Sequence, residues 1–430
     1  MNAVLAVVVG AVCLGRVSCI PTTTAPKTTP EQIHIAWGQQ PSEMSVTWTT
    51  EMDAASFVEW GISGGNNYTA RANATTSHFT ENNPSGKQWV HRALITGLKP
   101  NEKYQYRPVT GATVGPAYVF TARNDKPADG LKLLVYGDMG KHGGAPSLKK
   151  IEADAASGEF NAVVHVGDFA YDLDSDGGVN GDEFMNRIQS IAAHLPYMAA
   201  VGNHEIEGGS FAHYVNRFTM PGDSNGMWYS VDVGQAHLIV YSSETFFTQS
   251  KWTTDAQLEW LKSDLAAANK NRAARPWVIA FGHRPMYCSN IDHDDCANGP
   301  AGSKVRAGLE ELFHVGGVDI VIEAHEHSYE RLWPTFNETV TAHNYTDPTA
   351  MVHIISGCAG CNEGDGTCMN PMLGPKGPWS AKRGWLFKYG YAHMEVANAT
   401  HVRWSQKLDY AEHDEDDLWV VQHTHGARTV

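Results

Sequence analysis

Five times along this chain a short run of β-forming residues stops at a glycine or alanine, and a side chain able to hold a metal follows at once. The runs are Leu133-Leu-Val-Tyr-Gly-Asp138, Ala162-Val-Val-His-Val-Gly-Asp168, Met198-Ala-Ala-Val-Gly-Asn203, Val278-Ile-Ala-Phe-Gly-His283 and Ile320-Val-Ile-Glu-Ala-His325. Short apolar runs closed by turn residues read as buried strands. Open α/β sheets place their chemistry at the carboxyl ends of such strands. A lone Asp after a strand is ordinarily a turn or cap residue, but that reading does not explain the same ending repeated. The pattern predicts strands that aim Asp138, Asp168, Asn203, His283, His325 and His327 towards one sheet edge. Tyr171 adds a phenol oxygen three residues after Asp168.

The small residue before each of these positions allows backbones to approach closely. Carboxylate, amide and phenol oxygens mixed with imidazoles suit first-row transition metals. Seven candidate ligands exceed the needs of one tetrahedral zinc. They fit two metals that share a bridging carboxylate.

Gly137-Asp-Met-Gly140, Gly167-Asp-Phe-Ala-Tyr171, Gly202-Asn-His-Glu205, Gly282-His283 and Ala324-His-Glu-His327 resemble, in order and rough spacing, the five blocks of the purple acid phosphatases. The resemblance runs from about Glu31 to Tyr410, and Cys288 with Ser328-Tyr-Glu-Arg331 is most similar to the long animal form. Ala324 departs from a pattern often written with Gly; both are small. The resemblance implies a fibronectin III-like β-sandwich followed by a four-layer α/β/β/α metallophosphoesterase domain of calcineurin-like type. It also implies that Asp138, Tyr171 and His327 hold one metal, Asn203, His283 and His325 the other, and that Asp168 bridges. A phenolate and two carboxylates favour Fe³⁺ at the first position. A neutral Asn and two neutral imidazoles suit Fe²⁺, Zn²⁺ or Mn²⁺ at the second. The implied reaction is hydrolysis of phosphate monoesters by in-line attack of a metal-activated hydroxide. His204 is the expected proton donor to the leaving alkoxide, and His293 is expected to help bind phosphate.

Two rival readings differ in class. A pair of divalent metals would suit diester or nucleotide cleavage, but the phenolate of Tyr171 mainly benefits a ferric ion. A secreted binding protein with an inert phosphatase-like domain is opposed by the filling of all seven ligand positions.

The rest of the chain gives the organisation. Residues 1–19 hold an apolar run too short to span a bilayer and read as a cleaved secretory signal; 20–30 is a Thr/Pro linker. Export to the extracellular space or a lysosome-like acidic compartment follows. On that reading Asn67, Asn73, Asn337, Asn344 and Asn398 are glycosylation candidates. Residues 31–124 alternate like half-buried strands and form the β-sandwich, expected to brace the catalytic domain or a partner subunit, so that a homodimer is one expected state. Residues 130–410 alternate strands with helical patterns at Pro146 to Ala156, Asp182 to Leu195, Thr254 to Asn269 and Val305 to Phe313, as an α/β domain does. Thr254-Asp-Ala-Gln257 has capping-box spacing. Residues 411–430 are an acidic tail whose run Glu412 to Asp417 reads as solvated. The formal charge of −15 argues against nucleic acid or an anionic membrane as partner, and no later segment could cross a bilayer.

Of seven cysteines, Cys13 and Cys19 fall in the signal. Cys288 with Cys296 is the expected disulfide, and a structural bridge is expected within Cys358 to Cys368. Two motifs are weighed and set aside. Gly61-Ile-Ser-Gly-Gly65 has nucleophile-elbow spacing but no helix pattern behind it. Asp172-Leu-Asp-Ser-Asp-Gly-Gly-Val-Asn-Gly-Asp-Glu183 satisfies the calcium-loop pattern, but a strand rather than a helix precedes it. It reads as an acidic loop between Tyr171 and the following helix. His165 reads as a core residue, and His142 as a residue of the site mouth.

Overall fold

The computed structural model describes residues 27–65, 67–81, 83, 88–124, 126, 130–141, 145–289, 300–360, 375–384 and 389–429. The expected signal, His142, His293, Cys296, Cys361 and Cys368 lie outside them.

Alternating apolar residues build the first domain. Met44–Thr50 lies antiparallel between Glu31–Trp37 and Trp89–Ile95, and Ser56–Ile62 pairs with Lys103–Thr110 in a second sheet. Inward-facing Ile35, Trp37, Val46, Trp48, Tyr106 and Phe120 fill the space between them. Ser63 sits in a turn after the Ser56–Ile62 strand, and the next element is the Ala70–Asn73 strand, so no nucleophile elbow forms.

The second domain holds two mixed sheets. In the six-stranded one the order is Tyr197–Ala200, Ala162–Val166, Leu131–Tyr136, Gly390–Asn398, His401–Leu408, Asp416–Val421. In the seven-stranded one it is Tyr229–Val233, Ala236–Val240, Trp277–Phe281, Ile320–Glu323, Val352–Ser356, Tyr329–Leu332, Ser380–Arg383. The helices Ala145–Ser157 and Val179–Ala192 pack Leu148, Ile151, Phe184, Ile188 and Ile191 into the core of the first sheet. Thr254–Lys270 and Pro300–Val315 pack Leu261, Leu265, Val305, Leu309 and Phe313 onto the second. The layers therefore run helix, sheet, sheet, helix. The five ligand-bearing strands are divided between two sheets, three in one and two in the other, and do not share a single edge as expected. Each of the three is parallel to its neighbour, as are the two, so within each sheet the ligand-bearing carboxyl ends point the same way.

Two local readings change. The cap of the Thr254–Lys270 helix is Thr253, whose side chain accepts from Ala256 N, while Gln257 is buried and bonds to Ser242. The tail is not a solvated run throughout. Asp416 accepts from Tyr329 Oη at 2.8 Å and Arg331 Nε at 2.6 Å, and opens the Asp416–Val421 edge strand. Its carboxylate is buried because a guanidinium and a phenol are there to meet it. Cys358 carries a buried thiol, pushed up to about 12 by burial; Cys361 and Cys368, the other cysteines of the bridge expected there, lie outside the described residues.

The two domains are joined by polar contacts. Ile33 N donates to Gln189 Oε1 at 2.8 Å, Tyr106 Oη to Ala193 O at 2.8 Å, and Arg92 Nε to Thr219 Oγ1 at 3.1 Å. The sandwich thus braces the Val179–Ala192 helix and the segment that follows the site. Among the described residues, no helix is long and apolar enough to cross a membrane.

Candidate metal centre

Each strand end delivers its side chain through a short, conformationally demanding turn. Asp138, Asp168, Tyr171 and His325 have φ of 58°, 52°, 54° and 68°. Non-glycine residues rarely hold this left-handed backbone, and it gathers at functional sites. The small residues give the room. A Cβ at Gly202 would lie 2.2 Å from Asp168 Oδ1, and one at Gly167 would lie 2.3 Å from His283 Nδ1. Ala324 fits because the residue facing it is Gly137.

The seven expected ligands meet. Tyr171 Oη lies 2.5 Å from His327 Nε2 and 3.4 Å from Asp138 Oδ1. His283 Nε2 lies 3.0 Å from Asn203 Oδ1, 3.1 Å from His325 Nδ1 and 3.1 Å from Asp168 Oδ2. His325 N donates to Asp138 Oδ2 at 2.9 Å and ties the two groups together. Asp138, Asp168 and His283 are fully buried; Tyr171, Asn203 and His325 are half-buried.

The donor set needs a cation. His283 Nδ1 is held 2.9 Å from Val166 O, which makes it the protonated nitrogen. Nε2 then faces a carboxylate, an amide oxygen and a second imidazole nitrogen. One ring proton cannot serve three neighbours, whereas a cation among them is satisfied by all. Without a cation the same conflict shows in the charges. Burial pushes His283 down, but the charge and hydrogen bond of Asp168 outweigh it and raise the imidazole to about 10. Burial likewise opposes ionisation of Asp168, and His283 overcomes it, holding the carboxyl far below the usual range. Asp168, His283 and His325 bring ligand atoms within 4.8 Å of one another.

Three supporting groups were not singled out from the sequence. Glu205 is buried and accepts from the backbone N–H of Asp168, Phe169 and Gly202 at 2.9, 3.0 and 2.8 Å. It clips the Asp168 turn to the Asn203 turn. Burial, then the charge of Asp168, pushes its carboxyl up to about 8 against two of these N–H groups. Its place in Gly202-Asn-His-Glu205 was visible, but nothing in the sequence says that a buried Glu will bond backbone. Asp172 accepts from His204 Nδ1 at 2.9 Å, and the His204 ring lies 4.5 Å from that of Tyr171. Arg284 stands between His325 and the buried Glu244.

His204 is beside the cluster, not in it: its backbone N donates to Asp168 Oδ1 at 3.0 Å while its ring turns towards Tyr171. His165 is a core residue as expected, with Nδ1 2.7 Å from Tyr197 Oη. In the acidic loop, Asp182 pairs with Arg217 at 2.7 Å, Glu183 with Lys141 at 2.6 Å, and Asn180 caps three carbonyls. These ties, and the helix that begins at Val179, scatter the oxygens that a calcium loop would converge.

The chain matches three family descriptions in sequence: "Purple acid Phosphatase, N-terminal domain" over residues 30–122, "Calcineurin-like phosphoesterase" over 131–329, and "Iron/zinc purple acid phosphatase-like protein C" over 350–416. It is 42% identical over 412 residues to acid phosphatase type 7 of Mus musculus, covering 92% of each chain. It is 41% identical over 419 residues to the protein of the same name in Homo sapiens, covering 94% of this chain and 93% of that one. Its fold is that of a purple acid phosphatase from yellow lupin (Lupinus luteus) seeds, with a TM-score of 0.79, 23% identity, and coverage of 92% of this chain and 75% of the other. With matched segments across both domains, near full-length relatives, and a donor set that calls for cations at the strand ends, the chain belongs to the purple acid phosphatase family and is a phosphate-monoester hydrolase.

Proposed function

We propose that the hydrolysis runs at an Fe³⁺ paired with Fe²⁺, Zn²⁺ or Mn²⁺, with Asp138, Tyr171 and His327 around the first, Asn203, His283 and His325 around the second, and Asp168 between them. The observation that carries this is the three-fold demand on His283 Nε2, from Asp168, Asn203 and His325 at 3.0 to 3.1 Å. When bound, such a pair neutralises phosphate oxygens and supplies a deprotonated water for in-line attack.

The chain's own groups do the rest. Val166 O fixes the His283 tautomer, and Glu205 fixes the Asp168 backbone. The phenol of Tyr171 would favour a ferric ion at the first position, and such an ion would supply a deprotonated water at acid pH. His204, held at Nδ1 by Asp172, offers Nε2 to the leaving oxygen. In an acidic medium its imidazolium is available as a general acid. His293 and Cys296 lie outside the described residues; the part of His293 in phosphate binding rests on the sequence alone, whereas Cys288 is disulfide-bonded, which supports its expected bridge to Cys296.

Export is part of the proposal. Asn67, Asn73, Asn337, Asn344 and Asn398 are all exposed, which supports glycan attachment. An extracellular or lysosome-like acidic location would suit an acid phosphatase whose first position held a ferric ion.

Colour tests the metal assignment. The wild-type protein is expected to show a broad visible band from phenolate-to-iron charge transfer, and Tyr171→Phe to lose it while iron stays bound. A band of full intensity in Tyr171→Phe would remove Tyr171 from the first position. Leaving-group chemistry tests His204. His204→Ala is expected to slow an alkyl phosphate by roughly 10²–10⁴-fold and a nitrophenyl phosphate far less, with metal content unchanged. Equal losses on both would rule out proton donation.

A further inference from the structure

A second cavity lies where the first domain meets the Thr254–Lys270 helix. Its volume is about 460 Å³, within the usual range of small-molecule sites, and none of the seven metal-ligand candidates lines it. Three tryptophans do, Trp228, Trp252 and Trp260, together with Asp223, Asp264 and Lys251. Gln39 adds an amide from the first domain. Trp260 and Asp264 stand four residues apart on one face of the helix. Several of these groups are fixed by what lies behind them. The Trp252 ring meets the buried Phe211 edge-on, with centroids 6.0 Å apart. Trp228 N donates to Ser224 Oγ at 3.0 Å. Asp264 accepts from Ser230 Oγ at 2.6 Å and faces His237 Nε2 at 2.8 Å, so its carboxylate cannot turn away from the cavity's floor. Locking of this kind is what a binding site needs before its ligand arrives.

We propose that this cavity binds a neutral pyranose sugar, between the indoles of Trp228, Trp252 and Trp260 and the carboxylates of Asp223 and Asp264. Other ligand classes conflict with the lining. A cation would meet the ammonium of Lys251, whose Nζ already lies 4.3 Å from the centroid of the Trp252 ring. An anion, a nucleotide included, would meet Asp223 and Asp264. A hydrocarbon would strip water from those carboxylates and return no hydrogen bond. A pyranose satisfies both halves of the site. Its C–H faces are apolar and suit the electron-rich faces of indoles. Its hydroxyls can donate to the two carboxylates and to the Gln39 carbonyl, and accept from indole N–H groups and the Lys251 ammonium. Aromatic surface beside groups of both hydrogen-bonding senses is the chemistry that a polyhydroxylated ring calls for.

The proposal is independent of the metal assignment. Its test is calorimetric titration of the full-length protein with maltotriose, mannotriose and diacetylchitobiose, and with choline and glucuronate as charged controls. Phosphatase activity and thermal midpoint are recorded for each variant. At least one of the three neutral saccharides is expected to bind wild type in the micromolar-to-millimolar range, and more tightly than either control. Trp260→Ala removes one stacking face and is expected to weaken that binding by roughly tenfold. Asp223→Asn keeps the shape, loses the charge, and is expected to weaken it by roughly three- to tenfold. Its conservative change covers the case in which Trp260→Ala folds poorly. Phosphate-monoester hydrolysis is expected to stay at the wild-type rate in both variants. Absence of binding by all three saccharides would overturn the proposal. Saccharide binding of unchanged affinity in folded Trp260→Ala or Asp223→Asn would overturn it too, by placing the sugar elsewhere. Tighter binding of choline or glucuronate than of any neutral saccharide would overturn the ligand class.

Discussion

His237 and His283 are both buried and both held by aspartate, and of these two only His283 belongs to the metal site. His237 lies 2.7 Å from Asp232 Oδ1 through Nδ1 and 2.8 Å from Asp264 Oδ2 through Nε2. Both nitrogens have a carboxylate each, and a protonated ring meets every demand. Burial opposes that charge, but the hydrogen bonds and charges of Asp232 and Asp264 outweigh it and raise His237 to about 9. His283 has one aspartate, and the same Nε2 also faces an amide oxygen and an imidazole. No placement of protons completes that set. A buried imidazole between carboxylates is therefore not by itself a sign of a metal. The sign is a surplus of acceptors on one nitrogen.

This contrast separates the effects of mutation at the two places. Asp168→Ala removes the expected bridge and should lower kcat/KM by about 10³-fold or more, since metal stabilisation of phosphoryl charge amounts to several kcal/mol. Its thermal midpoint in chelator should fall much less than its activity. His237→Gln should do the reverse. Breaking a buried ion pair on one side costs about 3–5 kcal/mol, read by chemical denaturation, while metal content and kcat at low temperature stay near wild type. If His237→Gln lost iron, the separation would collapse.

The pH dependence has a definite sign. The pKa of His237 is raised in the folded state, so its contribution is fully present below the unfolded value near 6.5 and is lost as pH rises through about 9. Denaturation of wild type should show that loss between these values, on the order of 3 kcal/mol, and His237→Gln should lack it. Equal pH slopes for the two proteins would deny the charged triad. The smallest effect belongs to Ser230, whose Oγ donates to Asp264 Oδ1 at 2.6 Å. Ser230→Ala should cost about 1.5 kcal/mol, the range for a hydrogen bond to a charged group, with unchanged metal content; a loss above that of His237→Gln would misplace the triad's anchor.

The sequence made the metal site legible and the triad invisible for one physical reason. The ligands follow strand ends, so each carries its own local mark: an apolar run, a small residue, then Asp, Asn or His. Asp232, His237 and Asp264 come from two strands and a helix, with no mark on any of them, and only packing brings them together. Glu244 and Arg284 are hidden for the same reason. Parallel strands also carry no label for their sheet, which is why five strand ends read as one edge while the fold divides them between two. The tail erred differently. Asp416, Leu418 and Val420 face inward and Asp417 and Trp419 outward, a period of two that the density of acidic residues obscured.

The central claim is that the donors around His283 are arranged for cations and not for protons. Elemental analysis of purified wild-type protein and Asp168→Ala tests it most directly. The account predicts about two metal ions per wild-type chain, at least one of them iron, and neither retained in Asp168→Ala. Full metal content in Asp168→Ala, or wild-type protein that takes up no iron, would contradict it.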